Sequence, residues 1–170
     1  MSTTDKSQNR PAEKFPLFPK MIATSLGVGF LPVAPGPWGA ILALILWLPL
    51  YLWAEPIVTL SVTAAAVVIF TIAGTWASSI SERYWGKDPV VACVDETVGQ
   101  WISMLPITSV ATDAWWLVAL SLALFRFFDI VKPLGIRAME RLPKGYGMMA
   151  DDILAGIYTA AIIIAIKLAL

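Results

Sequence analysis

Histidine is absent from this 170-residue sequence, and cysteine occurs once, as Cys93. The first absence removes the commonest general base and a common metal ligand, and the second excludes an intramolecular disulfide. Any chemistry therefore rests on carboxylates, lysine, arginine or hydroxyls, or on a cation that they hold. Charge is scarce as well: 12 Lys and Arg balance 12 Asp and Glu, together 14% of the residues. No net field draws in nucleic acid or a cationic partner. Uncharged runs, by contrast, are long. Hydrophobic residues make up 58% of the chain and the mean hydropathy is +0.75, where a soluble domain has about 45–50% apolar residues. The composition excludes an ordinary soluble domain and predicts an all-α, multi-pass membrane bundle of one domain.

Along the chain, residues 1–20 are polar and read as a flexible arm, leaving 21–170 as a single membrane-embedded domain. Lys14 and Lys20 precede an apolar stretch, but Pro35 directly after Ala34 and the helix-weakening Gly27 and Gly29 argue against a cleaved signal. Residues 21–54 carry no charge. Their Gly- and Pro-rich first half suits a short helix and a surface loop, and 38–54 is able to span. Glu55-Pro56 breaks the chain, after which 57–81 exceeds the roughly 20 residues that cross a hydrocarbon core. Segment 97–112 is short and contains Pro106, so it is either a kinked span or a re-entrant one. With 114–130 and 153–170, four to five membrane-embedded helices are expected. If the amino terminus is cytoplasmic and all five cross, Lys6, Arg10, Lys14, Lys20, Arg83, Lys87, Lys132, Arg137, Arg141 and Lys144 lie inside, and the outer turns near Glu55 and Asp113 hold no cation. That asymmetry is the positive-inside pattern. It also places every polar motif at the cytoplasmic interface.

Those motifs carry the chemistry. "VDETVGQ" sets Asp95 and Glu96 at an expected helix start with Gly99 a turn later, and "ADDILAG" repeats the pattern with Asp151, Asp152 and Gly156. Acids at a helix start commonly cap free N–H groups. Two such starts on one face also suit a shared cation, with glycines leaving room for close helix approach. In "FRFFDIVKP", Arg126, Asp129 and Lys132 recur every three residues along one stripe before Pro133. Ionisable groups within a membrane segment are costly and mark functional sites. In "VAPGPWGA", Gly36 and Gly39 would let backbone N–H groups approach a phosphate, beside the plainer reading of a Pro/Gly helix entry. Together these parts describe a phosphate site: Asp95, Glu96, Asp129, Asp151 and Asp152 as hard oxygen ligands for Mg2+, Arg126 and Lys132 as phosphate partners. Cys93, in apolar surroundings beside two acids, is expected to be inert. A small ion-coupled transporter or channel subunit is the competing reading, but it calls for paired half-repeats and charges at the bilayer midplane. The sequence has no convincing repeat.

"ATSLGVGFLPVAPGPWGA", "VDETVGQWI", "FRFFDIVKPLGIR" and "GYGMMADDILAGIY" resemble, in order and spacing, the phosphatidylglycerophosphatase A family of bacterial membrane lipid phosphatases. The resemblance covers about residues 21 to 160. It implies Mg2+-dependent hydrolysis of phosphatidylglycerophosphate to phosphatidylglycerol and phosphate at the cytoplasmic face of the inner membrane. It supports Asp95, Glu96, Asp129 and Asp152 as catalytic and Arg126, Lys132, Gly36 and Gly39 as substrate-binding, with Asp151 among the metal ligands. Two departures stand out. Pro37 and Ala40 occupy positions where the family's loop carries hydroxyl residues, and Val94 replaces a Trp that commonly precedes the Asp-Glu pair. Transfer of phosphate between lipids is a narrower alternative to hydrolysis.

Overall fold

A computed structural model of the protein describes residues 14–108 and 115–169. Residues 1–13 of the expected arm, the break at Thr112-Asp113, Ala114 and Leu170 lie outside the described residues. The described chain is helical: α1 (Leu17–Ala23), α2 (Pro35–Trp53), α3 (Pro56–Trp85), α4 (Val94–Met104), α5 (Trp115–Val131), α6 (Ile136–Met139) and α7 (Gly145–Ala169). Helix α1 opens at Leu17, inside the stretch read as an arm, and Phe15 stacks on Tyr84 at 4.9 Å. Pro35 and Pro56 start α2 and α3, where a missing N–H costs nothing and the fixed φ already suits a helix.

Among the described residues, three helices, α2, α3 and α7, are long and apolar enough to cross a membrane. They turn Ile45, Trp53, Ile57, Ile69, Ile72 and Leu168 outward, an apolar exterior that matches lipid rather than water. Small polar residues face inward instead: Thr59, Thr63, Ser78, Ser121 and Thr159 are buried. Their hydroxyls mostly bond carbonyls three or four residues back, as in Thr63 Oγ1 to Thr59 O at 2.6 Å, so close packing leaves few orphan donors.

The centre of the molecule is α4, which packs against α2, α3, α5 and α7. Ten of its eleven residues are buried, Glu96 being the exception. With the tighter turn Leu105–Ile107 around Pro106, it extends about 22 Å, short of the roughly 30 Å hydrocarbon thickness. So α4 is sheathed by the helices that face lipid.

Helix α7 departs from expectation. It begins at Gly145, eight residues before the expected start at 153, so Asp151 and Asp152 lie about two turns inside it, away from its free amino-terminal N–H groups. The segment "GYGMMADD" is able to continue the helix because Gly145 closes against α3. A Cβ on Gly145 would meet Thr75 O at 2.6 Å, and the Gly145 N–H donates to Ser79 Oγ at 3.2 Å. The anchored end lets helix formers such as Met and Ala propagate from it.

Candidate functional site

The amino-terminal ends of α2, α4 and α7 and the carboxyl-terminal end of α5 meet around a cavity of about 490 Å3. Gly36, Asp95, Glu96, Arg126, Asp129, Lys132, Asp151 and Asp152, all singled out in the sequence, line it. Gly39 does not. A Cβ there would meet Cys93 O at 2.6 Å, so Gly39 seats α2 on the Cys93 backbone. Gly36 does touch the site: a Cβ on it would strike Glu96 Oε1 and lie 3.4 Å from Arg126 Nη1.

The paired glycines explain how the acids meet. Gly99 of α4 and Gly156 of α7 face one another, a Cβ on Gly156 falling 2.5 Å from Gly99 O and one on Gly99 falling 2.7 Å from Asp152 O. Such backbone contact is open only to glycine at these positions. One turn back from each glycine stand Asp95 with Glu96, and Asp152, and an oxygen of each of these three lies within 4.8 Å of the others.

The five carboxylates fall into two groups. Asp95, Glu96 and Asp152 have no ion-pair partner among the described residues. Asp129 Oδ2 lies 2.6 Å from Arg126 Nη1, and Asp151 Oδ2 lies 2.6 Å from Lys132 Nζ. Lys132 reaches Asp151 because it has left the helical stripe. Pro133 ends α5, Lys132 takes φ +49°, and its ammonium turns to Asp151 and to Glu140 at 2.7 Å. Burial works to lower the Lys132 pKa, but hydrogen bonds to Asp151 and Glu140 outweigh it and raise it, so this side chain holds its proton. Glu140 has no signal in the sequence, since an acid in a basic loop carries no sign of its partner. Asp88 has none either. Together with Ala34 and Lys132 it lines the cavity at positive φ (+51°, +46° and +49°), which costs non-glycine residues energy and clusters at functional sites.

The unpaired trio fits a divalent cation. Asp95 and Asp152 are 7% and 3% exposed, and Glu96 Oε2 is buried without a hydrogen-bond partner. Like charges buried together are unfavourable unless something positive joins them. Three carboxylate oxygens are the donors that hard cations such as Mg2+ take. Arg126 Nη1 is also buried, and despite its closeness to Asp129 it makes no aligned hydrogen bond, which leaves it a donor for phosphate.

Hydroxyl and thiol nucleophiles are missing from the described cavity wall. No lining residue carries a hydroxyl or thiol: Pro37 lines the wall without one, and Ala40 is buried with Phe125 and Ile136 instead. Cys93 is fully buried behind the wall, and burial, with Glu96 nearby, pushes its thiol pKa up to about 12. Its backbone anchors the loop: the Cys93 N–H donates to Ala23 O at 2.8 Å, and Ser25 Oγ donates to Cys93 O at 3.1 Å. Cys93→Ser is accordingly expected to keep catalytic turnover within about threefold of wild type, because a thiol that does not ionise is no nucleophile. A folded but inactive Cys93→Ser protein would contradict this assignment.

Compared with known proteins, residues 21–167 match the family described as Phosphatidylglycerophosphatase A. A Bacteroides thetaiotaomicron protein named "Putative phosphatidylinositol-3-phosphatase" is 49% identical over 146 residues, 85% of this chain and 91% of that protein. The proteins named Phosphatidylglycerophosphatase A of Haemophilus influenzae and Escherichia coli are 33% and 28% identical, covering 95% and 84% of this chain and 97% and 80% of their own. No solved structure matches. The family match spans every helix but the first residues of α1 and the last of α7, and takes in the whole acidic cavity: the chain belongs to the phosphatidylglycerophosphatase A family, and is a phosphatase.

Proposed function

We propose that the enzyme hydrolyses the phosphomonoester of phosphatidylglycerophosphate, giving phosphatidylglycerol and inorganic phosphate, in a Mg2+-dependent reaction at the cytoplasmic face of the bacterial inner membrane. The observation that carries this reading is the trio Asp95, Glu96 and Asp152 set beside Arg126 in one cavity. Bound there, Mg2+ would offset phosphate charge and supply an activated water to a wall whose described residues carry no hydroxyl or thiol. Arg126 meets the phosphate oxygens, and Asp129 orients Arg126. Lys132 is a fixed cation at the rim that positions Asp151. Asp129 and Asp151 thus serve as positioning residues, with Asp95, Glu96 and Asp152 as the ligand set. The one-sided Lys and Arg distribution supports the cytoplasmic orientation and the four to five embedded helices.

The Bacteroides relative favours a second substrate, a 3-phosphorylated inositol lipid, which presents the same phosphomonoester on a bulkier headgroup. Phosphate release by purified protein from phosphatidylglycerophosphate and from phosphatidylinositol 3-phosphate separates the two. The expected result is faster release from phosphatidylglycerophosphate, loss of activity with a chelator, and recovery when Mg2+ returns. Inside-out vesicles should show the activity and sealed spheroplasts should not. Activity that survives thorough chelation would remove the cation from the mechanism, and faster release from the inositol lipid would replace the substrate.

A further inference from the structure

A second groove, of about 560 Å3, runs between α3 and α7 outside the acidic cavity. Its polar end carries Arg83, in the last turn of α3, and Lys144, just before α7. Both side chains are exposed, and neither has an ion-pair partner among the described residues. Trp76 and Tyr146, 47% and 59% exposed, border it, and its floor descends through Met149 to Ile72 and Ile153. From Arg83 to Ile72 is eleven residues of helix, about 16 Å, the depth of one leaflet's hydrocarbon. The groove has a defined upper end because α3 and α7 touch at Gly145.

We infer that this groove holds an anionic diacyl phospholipid of the surrounding bilayer, its phosphate between Arg83 and Lys144 and one acyl chain along Ile72, Met149 and Ile153. Charge complementarity selects this occupant. Two unpaired cations stand at an apolar slot, flanked by aromatic side chains of the kind that settle at headgroup level. A zwitterionic phospholipid brings the same phosphate together with a headgroup cation that Arg83 and Lys144 repel, and an apolar peptide helix would cover both cations with apolar side chains. The groove shares no residue with the acidic cavity, so the lipid is not the one being hydrolysed. The inference depends on the membrane placement of the chain and not on the identity of its substrate.

Phosphatidylserine is a suitable probe, being anionic but carrying no phosphomonoester. Native mass spectrometry of the detergent-solubilised full chain, titrated with phosphatidylserine or phosphatidylcholine, should show one phosphatidylserine retained in preference. The double substitution R83Q/K144Q, at two exposed positions that the fold does not need, should weaken that retention by roughly thirtyfold, as expected for losing two interfacial cations. Ala150 also lines the groove, and Ala150→Trp, which fills the slot without altering charge, should weaken phosphatidylserine as well. Asp152→Asn should retain the lipid fully. Equal retention of the two lipids by wild type, or undiminished retention by R83Q/K144Q, would overturn the inference. So would loss of the lipid in Asp152→Asn, which would place it in the acidic cavity, or a second copy of the chain dissociating on Ala150→Trp, which would make the groove a dimer interface.

Discussion

Asp152→Asn is expected to lower turnover by at least about a hundredfold at saturating Mg2+ while leaving the protein folded. Replacing the groups that support a metal's ligands commonly costs about 10–100-fold, and a direct ligand should cost at least as much. Asparagine keeps the shape of the side chain and removes its charge, so the loss reports electrostatics rather than packing. Stability should move the other way. Without Mg2+, the substitution relieves repulsion among Asp95, Glu96 and Asp152, which are buried within 4.8 Å of one another, and the metal-free melting temperature should hold or rise. The increase in melting temperature expected of wild type on Mg2+ binding should largely vanish, since such an increase measures binding to the folded state. Asp151→Asn provides the contrast. It strips Lys132 of a partner at 2.6 Å and should lower the metal-free melting temperature, because a half-buried cation is left underpaired. Thermal unfolding with and without Mg2+, beside phosphate release, distinguishes the two acids. An Asp152→Asn protein with near-normal release, or with its Mg2+ stabilisation intact, is not missing a ligand.

How the five acids divide was beyond what residue spacing reveals. That Asp95, Glu96, Asp129, Asp151 and Asp152 belong to a site was legible, because carboxylates beside uncharged runs are expensive and need a reason. Which of them have cations depended on two local events. Pro133 and the left-handed backbone at Lys132 swing that side chain off the Arg126–Asp129 stripe, and the early start of α7 at Gly145 places Asp151 within its reach. Both are settled by tertiary contacts, Glu140 in one case and Ser79 in the other. The helical class and the apolar runs of α2 and α3 were plain from composition. Segment 97–112 was ambiguous because a helix sheathed by other helices carries the buried, mixed pattern of α4, not the uniform apolarity of a lipid-facing one. Gly36 and Gly39 were inseparable for a related reason: a glycine that admits backbone packing and one that borders a cavity look alike in sequence.

Gly99→Ala should reduce turnover by about a hundredfold although the substitution neither adds nor removes a charge. The added methyl would meet the Phe125 ring at 2.5 Å and Asp152 O at 2.7 Å, and neither yields easily, since Phe125 is fully buried and the oxygen belongs to helix backbone. Overpacking of this kind costs about 1–3 kcal/mol, which a membrane bundle survives, so the protein should still fold with a modestly lower melting temperature. The geometry should suffer more than the stability. Relief requires α7 to move away from α4 at the level of Asp152, opening the trio with Asp95 and Glu96, and displacements of about 1 Å in a catalytic constellation cost on the order of a hundredfold. Gly156→Ala, whose methyl would fall 2.5 Å from Gly99 O, should behave alike. Gly74→Ala is the milder control: its methyl would meet the flexible end of Met149 at 2.5 Å, which can swing aside, and the Val94 methyls at 3.1 and 3.2 Å, which need give only slightly, and activity should stay within about threefold. Mg2+ titrations of the three variants read the difference directly, with apparent affinity falling at least about tenfold for Gly99→Ala and Gly156→Ala and little for Gly74→Ala. If all three lose activity equally, or Gly99→Ala retains wild-type Mg2+ affinity, close approach of α4 and α7 is not what assembles the site.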